Sequence, residues 1–169
     1  IELGKKVLGY ADSFVQLQNK IKVVTGTEQE LNAITEALFA SSQKYSIELG
    51  SQVDLFTRLS GALAHTGISQ RELLEMTDTF AAALKAGGAT SVEASQAIMQ
   101  LTQAFRGGKL QAEEMNTLLD TMPDYMNAVI AEVARVNGVS LDEARSKIKK
   151  FGADGKIDLD ILVSAAENM

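Results

Sequence analysis

Residues 90–124, TSVEASQAIMQLTQAFRGGKLQAEEMNTLLDTMPD, decide the fold because they place several helix boundaries within one short stretch. A helix that carries QLTQAF is predicted to stop at the glycine pair Gly107-Gly108. A short acidic helix follows and ends before Pro123, the only proline of the chain. Proline suits the first turn of a helix, where its missing N–H would be unpaired anyway. We therefore predict three consecutive helices here and no reaction centre.

The remainder of the chain repeats this pattern of helix ends and starts. Residues 67–72 and 138–143 each combine a terminating glycine with Ser-x-x-Glu, the spacing of a capping box, and residues 88–93 carry a looser version. Because no stretch alternates with period 2, no sheet is expected. The predicted fold is all-α, a domain of about seven to eight helices with a long N-terminal amphipathic helix. The first expected helix covers residues 2–24. A second begins at residue 27 and ends at a kink near Tyr45–Ser46, and a third follows the kink and ends at about Ala64. The remaining helices are expected at about 69–86, 91–106, 111–121, 124–136, 140–150 and 157–167.

The N-terminal helix has apolar residues spaced alternately four and three apart, which is an a/d heptad pattern. Two interpretations are open: a long helix that packs on its own domain, or a helix that continues upstream into a coiled coil and pairs with a partner or a second copy. We predict that residues 1–24 form this helix and residues 25–169 a compact helical domain. Because the chain begins with Ile rather than Met, we expect it to be a piece of a longer protein. The seam residues are Leu3, Val7, Tyr10, Phe14, Leu17, Ile21 and Val24.

Composition excludes several classes of function. The net charge is −6, and the only basic bias is four lysines within residues 1–24, which is more typical of a solvated helix face than of a nucleic-acid site. Specific nucleic-acid binding is therefore not expected. The chain has no cysteine, so it forms neither disulfides nor Cys-ligated zinc. No apolar run reaches the roughly 18 residues of a membrane span, so membrane contact by this segment is not expected.

Four carboxylates, Glu113, Glu114, Asp120 and Asp124, are close enough in sequence to suggest the acid and base of a glycosidase. However, Glu113 and Glu114 fall in the first turn of a predicted helix, where the N–H dipoles stabilise negative charge without any catalytic role. No aromatic side chain accompanies them to bind sugar. We therefore assign no catalytic residue.

The other candidate sites are also better explained as structure. Residues 154–158, DGKID, resemble part of a calcium loop, but the ligand positions fall on Lys150, Gly152 and Ile161. His65 is the only histidine and lies near a predicted helix C-terminus, where an imidazolium interacts favourably with the last carbonyl groups of the helix. Residues 87–90 and 107–110 lack the spacing and the preceding strand of a phosphate loop. No cofactor and no metal is expected.

At residues 90–124 the chain resembles the N-terminal conserved domain of tail tape measure proteins from tailed bacteriophages. The likeness covers roughly residues 10–167. Two departures from the family pattern are compatible with helix: Ala112 and Met115 stand where the family commonly has Gly and Leu, and the segment from Lys147 to Asp154 is longer than usual. A weaker internal likeness relates residues 105–110 to 151–157, since both end a helix on Phe and continue through Gly-Lys to an aliphatic residue. The residues that carry the family motif are Leu101, Gln103, Ala104, Gly108, Lys109, Leu110, Glu114, Pro123, Gly155, Lys156 and Ile157.

The resemblance implies a structural assembly domain without enzymatic activity, acting in tail length determination, tail assembly and genome delivery. The partners it implies are the tail tube protein, tail assembly chaperones and the tail-tip initiator. The implied location is the virion tail, assembled in the bacterial host cytoplasm. Two alternatives stay open: a helical protein-interaction adaptor that self-associates or pairs through residues 1–24, and a peptidoglycan-hydrolysing module.

Overall fold

A computed structural model describes the backbone of residues 2–169 and the side chains of residues 11–169. The described residues form ten helices and no strand, which confirms the all-α prediction. The helices are α1 Glu2–Lys22, α2 Glu28–Tyr45, α3 Leu49–Ala62, α4 Gln70–Ala86, α5 Ser91–Gly107, α6 Ala112–Thr121, α7 Pro123–Asn137, α8 Leu141–Ser146, α9 Ile148–Ala153 and α10 Leu159–Glu167.

The number of helices slightly exceeds the expected seven to eight, in part because the helix predicted at 140–150 is divided into α8 and α9. Lys147, at φ −106° and ψ 9°, separates them. The Ser146 hydroxyl donates to the Glu143 carbonyl at 3.0 Å, the same carbonyl that accepts from the Lys147 N–H. A serine that bonds back to its own helix in this way bends the helix. The predicted kink at Tyr45–Ser46 is confirmed, with Ser46 in the left-handed conformation at φ 57°.

Side-chain caps define most of the helix starts that the sequence indicates. Thr27, Ser69 and Thr90 each accept from a glutamate N–H three residues on, and the glutamate carboxylate accepts from the backbone N–H of the cap. The looser sequence pattern at 88–93 thus forms a complete capping box. At Ser140 only half of the box is present, since its hydroxyl accepts from Glu143 N at 3.1 Å. These bonds satisfy N–H groups that have no partner within their own helix.

One apolar core extends from α1 to α10. The central helices are α4, which contacts α2, α3, α7 and α10, and α5, which contacts α3, α6 and α10. At the centre, Phe80 packs edge-to-face against Phe105 and Tyr125, with ring centroids 5.8 Å and 4.9 Å apart. These three fully buried rings join α4, α5 and α7 at the centre of the fold.

The C-terminal part of α1 packs against α2 and α3. Ile21 is fully buried, Leu17 and Val24 are partly buried against the core, and Lys20 pairs with Asp54 at 2.8 Å. Phe14, by contrast, is 41% exposed. The seam residues Leu3, Val7 and Tyr10 lie outside the side chains that the structure describes. Helix pairing through residues 1–24, and a domain boundary after residue 24, stay predictions.

Candidate functional site: the paired glycine-lysine turns

The first turn follows α5. Leu101 and Ala104 are buried on the inner face of that helix. The helix ends at Gly108, whose φ of 71° is one that residues with a Cβ rarely adopt. The Gly108 N–H donates to Phe105 O at 3.2 Å, and the Lys109 N–H donates to Ala104 O at 3.1 Å. The glycine therefore ends α5 by satisfying its last carbonyls, as the sequence predicts.

The acidic helix α6 uses Glu114 as a cap. Its carboxylate accepts from the Gln111 backbone N–H at 3.0 Å, while Met115 and Leu118 of the same helix are buried. Glu113 and Asp120 point outward and are exposed. Glu114 thus has a structural role at the start of α6, where the helix-end N–H groups stabilise a carboxylate.

The junction of α6 and α7 packs closely against the end of α4. Pro123 occupies the first turn of α7, as predicted. A Cβ placed on Gly87 would lie far inside van der Waals contact with Thr121 O, 3.0 Å from Thr121 C and 3.1 Å from Pro123 Cδ. A side chain at residue 87 would thus separate the two backbones. The sequence marks Gly87 only as part of a helix end, so this close approach was not predicted.

The second turn pairs with the first. Gly155 adopts φ 68°, and the residues after it form an isolated antiparallel bridge between Lys109 and Asp158. The Leu110 N–H donates to Ile157 O at 2.8 Å, and both aliphatic side chains are fully buried. The sequence likeness between 105–110 and 151–157 predicted a recurring turn. The structure adds that the two turns lie side by side and join α5–α6 to α9–α10.

The polar residues of the motif lie at the surface of these turns. Gln103 and Lys109 are exposed, and the Lys156 ammonium lies 5.7 Å from the centre of the Phe151 ring, a cation–π distance. The apolar motif residues fill the core beneath them. The arrangement can hold helices together and present amide and ammonium groups to a partner, but it assembles no nucleophile with a base.

The central aromatic cluster was missed at the sequence level. Phe80, Phe105 and Tyr125 occupy ordinary apolar positions of their helices, and nothing in the pattern indicates that they meet. The Tyr125 hydroxyl donates to Leu162 O at 3.0 Å, and burial raises the pKa of that hydroxyl. Tyr125 is therefore a neutral hydrogen-bond donor that ties α7 to α10.

The remaining candidates have structural roles. His65 is exposed after α3, and the neighbouring Thr66 hydroxyl, not the imidazole, donates to Leu63 O at 2.7 Å. In the calcium-loop-like turn, Asp154 pairs with Lys150 at 3.1 Å, and Asp158 caps α10 by accepting from Ile161 N at 3.1 Å.

The described residues lack two kinds of feature. No cluster of three or more acidic or histidine side chains in this part of the chain is arranged to hold a metal ion. None of the helices in the same part of the chain has the length and apolar character required to cross a membrane.

A family model described as "Tape measure protein" matches residues 5–169. No curated protein and no solved structure matches the chain. The family is structural rather than enzymatic. The match includes both glycine-lysine turns, the acidic helix and the proline start of α7, which are the features that the resemblance used. The chain belongs to the tape measure protein family and is a structural protein of the phage tail.

Proposed function

We propose that this domain acts in tail assembly, tail length determination and genome delivery, as a helical part of a protein around which the tail is built. Its partners in this proposal are the tail tube protein, tail assembly chaperones and the tail-tip initiator. Its place is the virion tail, after assembly in the host cytoplasm. The observation that carries the proposal is the family match over residues 5–169.

The roles of the motif residues support this proposal. Leu110 and Ile157 are fully buried, Gly108 and Gly155 form turns, and Glu114 caps a helix. Motif residues that pack the core, form turns and cap helices are what we expect of a domain that must keep its shape during assembly. The same residues offer no group positioned to attack a bond.

The test separates this domain from the rest of the gene that encodes it. Phage that lack residues 25–169 in frame should form few or no tails, because the assembly domain is gone. Phage with an in-frame deletion in a helical region outside residues 25–169 should form tails that are intact but shorter. Tails of normal number and length in both phages, counted and measured by electron microscopy, would overturn the proposal.

An adaptor role through residues 1–24 is a second candidate, favoured by Phe14 and Val15, which are 41% and 52% exposed. Light scattering of the chain with and without residues 1–24 tests it. A mass that falls from dimer to monomer on truncation supports pairing through α1, and a monomer in both cases excludes self-pairing.

A peptidoglycan hydrolase is the remaining alternative. Zymography on peptidoglycan should give no clearing. Clearing that Glu114→Gln abolishes would make the domain an enzyme, since Gln still caps a helix in this position.

A further inference from the structure

A groove of about 580 Å³ lies between α3 and α5. The Ser51 and Ser95 hydroxyls, 3.2 Å apart, fix the register of the two helices. With that register and a parallel course, Arg58 lies beside Thr102, and Arg106 lies beside Ala62, one helical turn further along. This separation of four residues corresponds to about 6 Å along the helix axis. The groove is lined by Arg58, Gly61, Ala62, Met99, Thr102, Gln103 and Arg106.

The two arginines of this groove differ from the other three of the chain. Arg71 and Arg135 bind Glu75 and Glu132 at 2.9 Å and 2.7 Å, and Arg145 donates to Asn127 at 2.9 Å. Within the described part of the chain, the exposed guanidinium groups of Arg58 and Arg106 have neither a hydrogen-bond partner nor an ion-pair partner. Two cations without counter-charges therefore share one groove in a chain of net charge −6.

The neighbouring sequence offers these arginines no carboxylate. Asp54 lies one turn before Arg58, but it pairs with Lys20 at 2.8 Å. The positions one turn before Arg106 are Thr102 and Gln103, which carry no charge. Arg106 in the last turn of α5 is favoured by the helix dipole, whereas Arg58 lies before the last turn of α3 and gains less from it. The residues whose side chains the structure describes, 11–169, thus leave the positive charge of the groove uncompensated.

We propose that the α3–α5 groove binds an acidic segment of a partner protein, with two carboxylates about one helical turn apart on either side of an apolar side chain. The arginines would pair with the carboxylates, because guanidinium forms bidentate bonds with that group. Between them, Gly61 and Ala62 leave room, and Met99, which is 45% exposed, provides an adaptable apolar contact. Nucleic acid fits less well, since the net charge of −6 opposes a polyanion many phosphates long.

The probe is a blocked, fluorescein-labelled helical peptide that carries two glutamates four positions apart with leucine between them. A matched peptide carries glutamine in place of both glutamates. Fluorescence anisotropy measures the binding of each to the 169-residue chain. The variants are Arg58→Gln, Arg106→Gln and the double variant, with Arg71→Gln as the control because that residue is exposed and outside the groove.

We expect the glutamate peptide to bind more tightly than the glutamine peptide. Each groove substitution should weaken its binding roughly threefold and the double variant roughly tenfold, in line with partly exposed ion pairs. Arg71→Gln should have no effect. Met99→Glu should also weaken binding, because it keeps both arginines but places a negative charge that repels the glutamates of the peptide. Thermal melts should be unchanged in Arg58→Gln and should fall only slightly in Arg106→Gln, because among the described residues neither side chain has a partner to lose and Arg106 loses only its interaction with the helix dipole.

Equal affinity for the two peptides, or a double variant that binds like wild type, would overturn the proposal. Tighter binding of a duplex DNA oligonucleotide than of the glutamate peptide, lost in the double variant, would overturn it in favour of nucleic acid. A dimer that forms without peptide and is lost in the double variant would assign the groove to a second copy of this chain. None of these results depends on tail length, so the test of the proposed function stands separately.

Discussion

Among the glycines that the structure describes, Gly87 packs most closely against its neighbours, at the α6–α7 junction, and it gives a prediction with a matched control. In Gly87→Ala, the new Cβ would overlap Thr121 O and lie 3.1 Å from Pro123 Cδ. Both neighbours belong to the backbone or to a rigid ring, so neither can rotate away. In Gly61→Ala, on α3, the new Cβ would meet no atom within 4 Å.

The two substitutions should therefore change stability in opposite directions. Overpacking against an unyielding neighbour costs about 1–3 kcal/mol. The methyl group also lowers the conformational entropy of the unfolded chain, and this stabilises the folded state by about 0.4–1 kcal/mol. We expect a net loss of about 1–2 kcal/mol for Gly87→Ala, or a fall in Tm of roughly 2–8 °C for a chain of this size. Gly61→Ala should gain about 0.5–1 kcal/mol, because it only removes a glycine from a helix.

Urea unfolding followed by circular dichroism at 222 nm measures both changes. Equal slopes for wild type and variants would show that only stability, and not the extent of unfolding, has changed. If Gly87→Ala is as stable as Gly61→Ala, the end of α4 does not pack against Thr121 and Pro123 as described. The close junction of the three helices would then be wrong.

Two further predictions concern buried polar groups. Glu132 is 8% exposed and accepts from Arg135 and Asn168, and the Arg135 hydrogen bond is the main reason that its pKa is lowered. Its contribution is therefore present above its unfolded pKa and lost as the pH falls through the lower folded value. Glu132→Gln should lower Tm at pH 7, and this difference should shrink as the pH falls from the ordinary glutamate range through the lower folded pKa. A Tm difference that stays the same over an acid titration of the two proteins would contradict this. Gln52 is fully buried and its Oε1 has no partner. The Gln52 Nε2 donates to the Ser41 hydroxyl at 3.3 Å, so Ser41→Ala is used as the background in which Gln52→Met removes no further partner. In that background Gln52→Met should leave Tm unchanged or raise it, and a loss above about 1 kcal/mol would show that an unseen group, such as water, satisfies Oε1.

Local rules explain why so much of the fold was predictable. Each helix start at Thr27, Ser69 and Thr90 depends on residues within three positions, and the ends at Gly108 and Gly138 depend on a single glycine. Such signals are complete within a short window of sequence. The division at Lys147 escaped prediction because an apolar pattern extends across it, and the two pieces are distinguished by the backbone angles of Lys147, φ −106° and ψ 9°.

Contacts between distant residues were less predictable. The likeness of the two glycine-lysine turns was visible in the sequence, but not the bond from Leu110 N to Ile157 O. The cluster of Phe80, Phe105 and Tyr125 and the two unpaired arginines of the α3–α5 groove likewise depend on how helices far apart in sequence pack together. Periodicity determines which face of a helix is buried, but not which helix covers it.

We propose that this domain belongs to a structural tail protein whose helical length determines tail length. A series of in-frame deletions of different sizes, made in helical regions of the gene outside residues 25–169, tests it most directly. Electron microscopy of negatively stained phage gives tail length for each member of the series. The account predicts a linear shortening of roughly 1.5 Å per deleted residue, the rise of an α-helix. Tails that keep one length across the series would contradict it.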